Sequence, residues 1–73
     1  MKFKIQIVRK TIGGHKPVKG HSWIQETKQT FYPEKGEKVI CREPHKTARQ
    51  GRIIDIINFD EEGTNGTLEV ALI

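Results

Sequence analysis

Apolar and polar residues alternate near both ends of this chain. Residues 2–11 (KFKIQIVRKT) place Phe3, Ile5 and Ile7 at every second position, with charged or amide residues between them. Residues 68–72 (LEVAL) repeat the alternation near the end of the chain. Because the side chains of a strand point alternately to its two faces, a period of two indicates a strand with one buried face. Strands are therefore predicted at residues 2–11 and in the last segment.

The centre of the chain, residues 36–59, predicts two more strands joined by a basic loop. Val39 and Cys41 alternate with charged neighbours, as in a half-buried strand. Residues 53–59 (IIDIINF) form the largest apolar block, and β-branched isoleucines favour a sheet over a helix. Residues 43–50 (EPHKTARQ) contain a proline and several cations but no apolar stripe, so they predict a loop with at most one helical turn.

The connections are predicted from glycine, proline and polar residues. Residues 15–21 (HKPVKGH) indicate an exposed loop after Gly13 and Gly14, and residues 22–27 indicate a short second strand that continues into residues 28–32. Two turn signals complete the pattern: a type I turn at residues 33–36 with its glycine in fourth place, and a polar loop at residues 60–66 that ends in Asn65-Gly66.

About five short strands and no convincing helix predict an all-β, small antiparallel barrel or sandwich that occupies residues 1–73 as a single domain. A chain of this length buries only about 60% of its unfolded surface, so its core is small. Most of the apolar residues are then needed for the core, which leaves few for a cofactor pocket. The size of the chain therefore weighs against an enzyme.

The central segment resembles a KOW motif, which is found in SH3-like barrels of ribosomal proteins and transcription elongation factors. The match covers about a third of the chain and rests on Gly36, Lys38, Val39, Pro44, His45, Lys46, Gly51, Ile53 and Ile56. Many family members have a glycine after the basic turn residue, where this chain has Thr47 and Ala48. The resemblance implies an SH3-like barrel; an OB-fold barrel is the alternative, although it usually needs more residues and a helix.

Charge is distributed unevenly along the sequence. All thirteen Lys and Arg lie within residues 1–52, which contain four acids and carry +9, whereas residues 53–73 contain five acids and no base and carry −5. Pairing between the two segments in a sheet would neutralise part of this asymmetry. The remaining cations predict a positive surface that suits phosphate groups or an acidic partner.

The single cysteine, Cys41, excludes an internal disulfide and favours a cytoplasmic setting. Met1 is followed at once by charged residues without an apolar signal segment, and the longest apolar run is far shorter than the roughly 20 residues of a membrane-spanning helix. The expectation is a cytoplasmic protein that does not enter a membrane.

Metal binding and catalysis find little support in the sequence. The candidate zinc ligands are His15, His21, Cys41 and His45, but their spacing does not match a zinc knuckle, and one cysteine cannot build a thiolate-rich site. Cys41 has no visible orienting carboxylate and shares a strand face with Val39, which favours a core position. No glycine-rich phosphate loop is present. The expectation is no catalytic residue, no metal and no cofactor.

Two aromatic residues remain open between packing and function. Trp23 and Tyr32 are flanked by polar or basic residues, as on a platform on which bases stack. The alternative is that a small barrel needs Trp23 as core filling.

The basic loop is the strongest candidate for a binding site. Hairpin loops of a meander gather at its rims, so cations from the loop at residues 15–21 are expected to join it. The candidate residues for contacts with nucleic acid are Lys16, Lys19, Arg42, His45, Lys46, Arg49 and Arg52. The first hypothesis is a non-enzymatic module that contacts nucleic acid, RNA ahead of DNA, mostly at phosphates. The alternative is a protein-interaction module, such as an accessory or inhibitory protein of a mobile element.

Overall fold

A computed structural model describes residues 2–28, 32–59 and 66–73. This part of the chain is all-β and contains no helix, which confirms the predicted fold class. Five strands form one sheet: β1 Lys2–Thr11, β2 Gly14–Glu26, β3 Lys38–Cys41, β4 Arg49–Ile57 and β5 Thr67–Leu72.

The strands are ordered β2-β1-β5-β4-β3 in a mixed sheet. The pairs β1–β2, β3–β4 and β4–β5 are antiparallel, but β1 and β5 run parallel. The prediction of a purely antiparallel sheet is therefore wrong for this one pair. Successive strands alternate in direction, so the first and the fifth point the same way, and their pairing must be parallel.

The core lies on one face of the sheet and is built from the alternating positions. Ile5, Leu68 and Val70 have no exposed surface, and the rest of the buried cluster consists of Phe3, Ile7, Trp23, Cys41 and Ile53. The predicted strands at both ends of the chain are thus confirmed. Of the two isoleucines of the KOW-like segment, Ile53 is buried, whereas Ile56 is only half-buried and packs against the cluster.

The predicted loop at residues 15–21 is wrong, because these residues belong to β2. Proline is tolerated there because β2 is an edge strand of the sheet. The strand is interrupted by a wide bulge: Gln6 pairs with Ser22 and Val8 pairs with Pro17, so residues 18–21 lie opposite Ile7 alone. The predicted strand at residues 22–27 is the second half of β2, which ends at Glu26.

The turn before β3 lies one residue later than predicted. Glu37 N–H donates to Glu34 O (3.2 Å), and Gly36 has a φ of 89° at the third position of the turn. A positive φ at that position is the requirement of a type II turn, so the glycine allows the turn without strain. Residues 29–31 and 60–65 lie outside the described residues, and with them part of the predicted second strand and Asn65 of the predicted tight turn.

Gly51 of the KOW-like segment permits a close approach of strands. A Cβ atom at this position would lie 2.2 Å from Val70 Cγ1 and 3.1 Å from Cys41 Sγ. Both neighbours belong to the buried cluster, so a side chain at residue 51 would displace the core at its centre. The glycine therefore has a packing function that is independent of the resemblance.

The two edge strands, β2 and β3, are joined by a side chain. Gln25 on β2 is buried; its Nε2 donates to Ile40 O (2.8 Å), and its Oε1 accepts from Arg42 N–H (2.8 Å). The same Oε1 accepts from Trp23 Nε1 (3.1 Å). The amide of Gln25 thus supplies one donor and one acceptor to the edge of β3, as the backbone of a neighbouring strand would.

Candidate nucleic-acid interface

The two basic segments of the sequence lie at the same end of the sheet. β1 ends at the hairpin turn to β2, and β5 runs parallel to it. β4 begins and β3 ends next to the end of β5, since Gly51 pairs with Leu72 and Cys41 pairs with Arg49. The basic loop, which in the structure runs from Arg42 to Ala48, therefore lies at one rim together with the β1–β2 hairpin. The two basic segments meet as the sequence predicted, although residues 15–21 belong to a strand and not to a loop.

The bulge of β2 is held in place by Gln6. Its Nε2 lies 3.0 Å from Val18 O and 3.3 Å from His21 O. These bonds satisfy two carbonyl groups that the interrupted ladder leaves without a strand partner. The bulge thus has a defined shape, and it turns His21 toward the basic loop.

A contact between the bulge and the basic loop fixes the rim. His21 Nε2 lies 2.8 Å from Glu43 Oε1, and Lys46 Nζ lies 3.5 Å from Glu43 Oε2. The hydrogen bond from His21 and then the charges of His21 and Lys46 lower the pKa of the Glu43 carboxyl below its usual value. Glu43 stays ionised near neutral pH and links the two basic segments.

The basic loop begins with a tight turn at residues 43–46. Lys46 N–H donates to Glu43 O (3.2 Å), with Pro44 at the second position and His45 at the third. His45 has a φ of 65°, in the left-handed region that non-glycine residues seldom occupy. The turn therefore presents the exposed ring of His45 at its tip at a conformational cost of about 1 kcal/mol.

Five of the predicted contact residues lie at this rim. Lys16 lies in the hairpin, and Lys19 lies in the bulge. His45 and Lys46 lie in the basic loop, and Arg49 is the first residue of β4. All five are exposed. Lys46 and Arg49 line a small pocket together with His21 and Trp23.

Two predicted contact residues are directed elsewhere. Arg52 Nη1 donates to Gly36 O (2.6 Å), so its guanidinium holds the turn before β3, at the opposite end of that strand from the basic loop. Arg42 lies at the seam between β2 and β3, where its side chain lines the grooves beside Thr27 and Lys28. The sequence does not indicate that these two side chains point away from the basic loop, because Arg42 begins the loop and Arg52 lies within a few positions of it.

The two aromatic candidates differ in their surroundings. Trp23 is 9% exposed, packs in the core and contacts the His21 ring at 5.8 Å between centroids. Core filling is the interpretation that its burial supports. Tyr32 is 68% exposed and lines an open groove of about 310 Å³ along the seam, away from the rim.

Cys41 is buried at 2% exposure, as its strand face predicted. Burial raises the pKa of its thiol, and the nearby charge of Arg49 offsets this only in part. A protonated, inaccessible thiol is a poor nucleophile and a poor metal ligand. Among residues 2–28, 32–59 and 66–73, no group of three or more His, Cys, Asp or Glu side chains is placed to hold a metal ion.

The structure adds two cations to the rim that sequence reasoning missed. Arg9 and Lys10 lie on the outer part of β1, directly opposite Lys16 and His15 of β2. The signal was present in the sequence, since residues 1–25 contain six Lys and Arg and no acid. Composition alone does not indicate that these strand residues lie beside the loops, because that depends on how far the β1–β2 hairpin extends beyond the sheet.

No family model, curated protein or solved structure matches this chain. The described part of the chain has no helix long and apolar enough to span a membrane.

Proposed function

We propose that this chain is a non-enzymatic module that binds nucleic acid through phosphate groups. The observation that carries the proposal is the cationic rim, defined as Arg9, Lys10, Lys16, Lys19, Lys46 and Arg49 on one end of the sheet. Cations gathered at one end of a small domain form a basic patch, which is the electrostatic footprint of a nucleic-acid-binding protein.

The charges of the rim are largely uncompensated. Among the described residues, Glu43 is the acid that forms ion pairs there, and it is shared between His21 and Lys46. The predicted pairing between the basic and the acidic segments takes place elsewhere, between Lys35 and Asp55 (3.2 Å). The rim therefore carries six of the thirteen Lys and Arg of the sequence, and Glu43 compensates only part of their charge.

The KOW-like resemblance supports the same proposal. Its residues form the β3–turn–β4 hairpin, with Gly51 and Ile53 in the core and Lys46 exposed on the loop. We infer an SH3-like barrel in which the basic loop contacts the backbone of the ligand. Such contacts fix the position of the protein but do not read the sequence of bases.

The salt dependence of binding tests this proposal. Fluorescence anisotropy with labelled single-stranded RNA, single-stranded DNA and duplex DNA should show binding at low salt that weakens steeply as salt is added. Each phosphate contact releases counterions and contributes about 0.7 to 0.9 to the slope of log affinity against log salt. Absence of binding to all three ligands at low salt would refute the proposal.

A groove at the seam favours the second candidate, a protein-interaction module. The groove is lined by Tyr32, Pro33 and Ile40, and Ile40 is 41% exposed. Exposed aromatic and aliphatic side chains beside an edge strand suit an extended peptide. Capture of partners from a lysate with and without nuclease distinguishes the two candidates: a partner that is retained after nuclease treatment and lost in a Tyr32→Ala variant supports the groove.

A further inference from the structure

The outer part of the β1–β2 hairpin projects beyond the rest of the sheet. Val8 pairs with Ala71 of β5, but residues 9–11 of β1 pair only with residues 14–16 of β2 within the described residues. This two-stranded ribbon, residues 9–16, is called the arm below. At about 3.3 Å per residue, the step from Arg9 to Ile12 extends the arm by about 10 Å.

Both faces of the arm are cationic. Arg9 lies directly opposite Lys16, and Lys10 lies directly opposite His15; because side chains alternate along a strand, the two pairs occupy opposite faces. Like charges in direct cross-strand pairs destabilise a sheet. In the described residues neither Arg9 nor Lys16 forms an ion pair with an acid. An anion outside the chain would relieve this repulsion.

The tip of the arm carries an isoleucine. Ile12 lies in the turn between β1 and β2, is fully exposed (109%), and is followed by Gly13 and Gly14, beside which the space is open. No packing accounts for this apolar side chain, which is surrounded by cations and glycines. A small apolar tip on a basic ribbon is the combination found where proteins wedge a side chain between base pairs.

We propose that the arm enters the minor groove of duplex DNA and inserts Ile12 between base pairs, which kinks the duplex. This inference rests on the proposed function and specifies its ligand. The minor groove of B-DNA is about 7.5 Å deep, so an arm of about 10 Å is long enough to reach the base edges. The groove is only about 6 Å wide in undistorted DNA, so the two-stranded arm enters it only where the wedged side chain kinks the duplex and opens the groove. The cations on its two faces then meet the phosphates on the two walls of the groove.

The same features disfavour other ligands. Double-stranded RNA has a deep, narrow major groove that side chains cannot enter and a shallow minor groove that offers no slot for a ribbon. A membrane-inserting tip usually carries several large apolar residues, whereas this tip has one, followed by two glycines. Duplex DNA is therefore favoured over double-stranded RNA and over a membrane surface, whereas the sequence placed RNA ahead of DNA.

Binding and bending are measured separately to test the arm. Anisotropy is recorded with a duplex DNA of about 20 base pairs with an A·T-rich centre, the matching duplex RNA, and single strands of each. Energy transfer between dyes at the two ends of the DNA reports bending. The wild type is expected to bind the duplex DNA at least about 10-fold more tightly than the duplex RNA and to shorten the distance between the dyes.

Ile12→Ala should abolish bending, and Ile12→Phe should retain it, because a larger wedge still unstacks the bases. Ile24→Ala is the matched control, since Ile24 is also exposed (63%) but lies on the other half of β2. Arg9→Gln with Lys16→Gln should reduce the slope of log affinity against log salt by about 2, for two lost phosphate contacts. All of these residues are exposed, so the variants are expected to fold, and circular dichroism checks this.

The outcomes separate the two proposals. Binding to no nucleic acid overturns both. Equal affinity for all the nucleic acids tested, or bending that persists in Ile12→Ala, overturns the proposal for the arm but leaves the proposal of phosphate binding intact. Binding of the wild type to anionic vesicles that is lost in Ile12→Ala, without bending of DNA, overturns the arm in favour of a membrane surface.

Discussion

His21 and Glu43 lie 2.8 Å apart, and their contact joins the bulge of β2 to the basic loop. The two residues are 22 positions apart in the sequence and come from opposite edges of the sheet. The contact therefore closes the seam between β2 and β3 at the rim, and the hydrogen bonds of Gln25 close the same seam further along β2.

The carboxyl of Glu43 should make stability depend on pH in the acid range. Its pKa in the folded protein is below that of the unfolded chain, which is about 4.3 for a glutamate. Its contribution is then fully present above the unfolded value and is lost as the pH falls through the folded value. Urea unfolding between about pH 5 and about pH 3 should show a smaller loss of stability for Glu43→Gln than for the wild type.

The carboxyl of Asp55 makes a second contribution to stability that is also lost as the pH falls. The Ile56 backbone N–H, and then Lys35, lower the pKa of the Asp55 carboxyl, so some acid sensitivity remains in Glu43→Gln. Glu34→Gln is the control, since Glu34 is exposed and in none of the observed ion pairs. If the wild type and Glu43→Gln lost the same amount of stability between about pH 5 and about pH 3, the result would contradict the role of the contact between His21 and Glu43.

We expect the side-chain amide of Gln25 to contribute more to the free energy of unfolding than a single ordinary side-chain hydrogen bond does. Gln25→Leu has a similar size but leaves Ile40 O, Arg42 N–H and Trp23 Nε1 without their partner. Each buried polar group left unsatisfied costs about 1–3 kcal/mol, so a total loss of roughly 2–4 kcal/mol is expected after partial hydration at the seam. Chemical denaturation measures this loss, with the exposed Gln50→Leu as the control.

The packing of the core predicts that alanine substitutions at two isoleucines of β4 reduce stability by different amounts. Ile53 is 2% exposed and Ile56 is only half-buried. Ile53→Ala should cost about 2–4 kcal/mol, whereas Ile56→Ala should cost about half as much because part of its side chain already contacts water. Thermal melts followed by circular dichroism give the comparison. Equal and small shifts of the melting midpoint would show that β4 does not pack as described.

Cys41 should react with thiol reagents only when the protein opens. The thiol is buried and its pKa is raised, so both access and ionisation limit its reactivity. A chromogenic disulfide reagent at slightly alkaline pH should modify the native protein far more slowly than the urea-unfolded chain. Modification of both at the same rate would place Cys41 at the surface.

The sequence predicts the strands well where one face is buried. The alternation at Phe3, Ile5 and Ile7 identified β1, and the alternation near the end identified β5, because burial imposes a period of two on those strands. The outer half of β2 has no such pattern, since His15 and Lys16 are both exposed on a ribbon without a core beneath it. Composition is then the only local signal, and its glycine, proline and lysines favour a loop.

The rim could be predicted in outline but not in detail. The hairpin connections predict that the two basic segments cluster, which places Lys16 and Lys46 in the same site. The pairing of Arg9 with Lys16 depends on register, and the contact of Arg52 with Gly36 depends on side-chain direction. Neither the strand register nor the direction of a side chain can be derived from the residue types alone.

The cationic rim is tested most directly by reversing its charge. Lys46→Glu with Arg49→Glu removes two cations at the centre of the rim, while Lys4→Glu with Lys28→Glu makes the same change in net charge away from it. All four residues are exposed, so stability should change by no more than roughly 0.5 kcal/mol per site.

The measurement is the affinity of wild type and both double variants for labelled duplex DNA and single-stranded RNA at low and moderate salt. We expect the Lys46/Arg49 variant to lose at least about 10-fold in affinity for unrelated sequences alike and to show a shallower salt slope, whereas the Lys4/Lys28 variant stays within about 3-fold of the wild type. Equal losses in the two variants would mean that net charge rather than the rim governs binding. Absence of any loss in the Lys46/Arg49 variant would contradict the central claim.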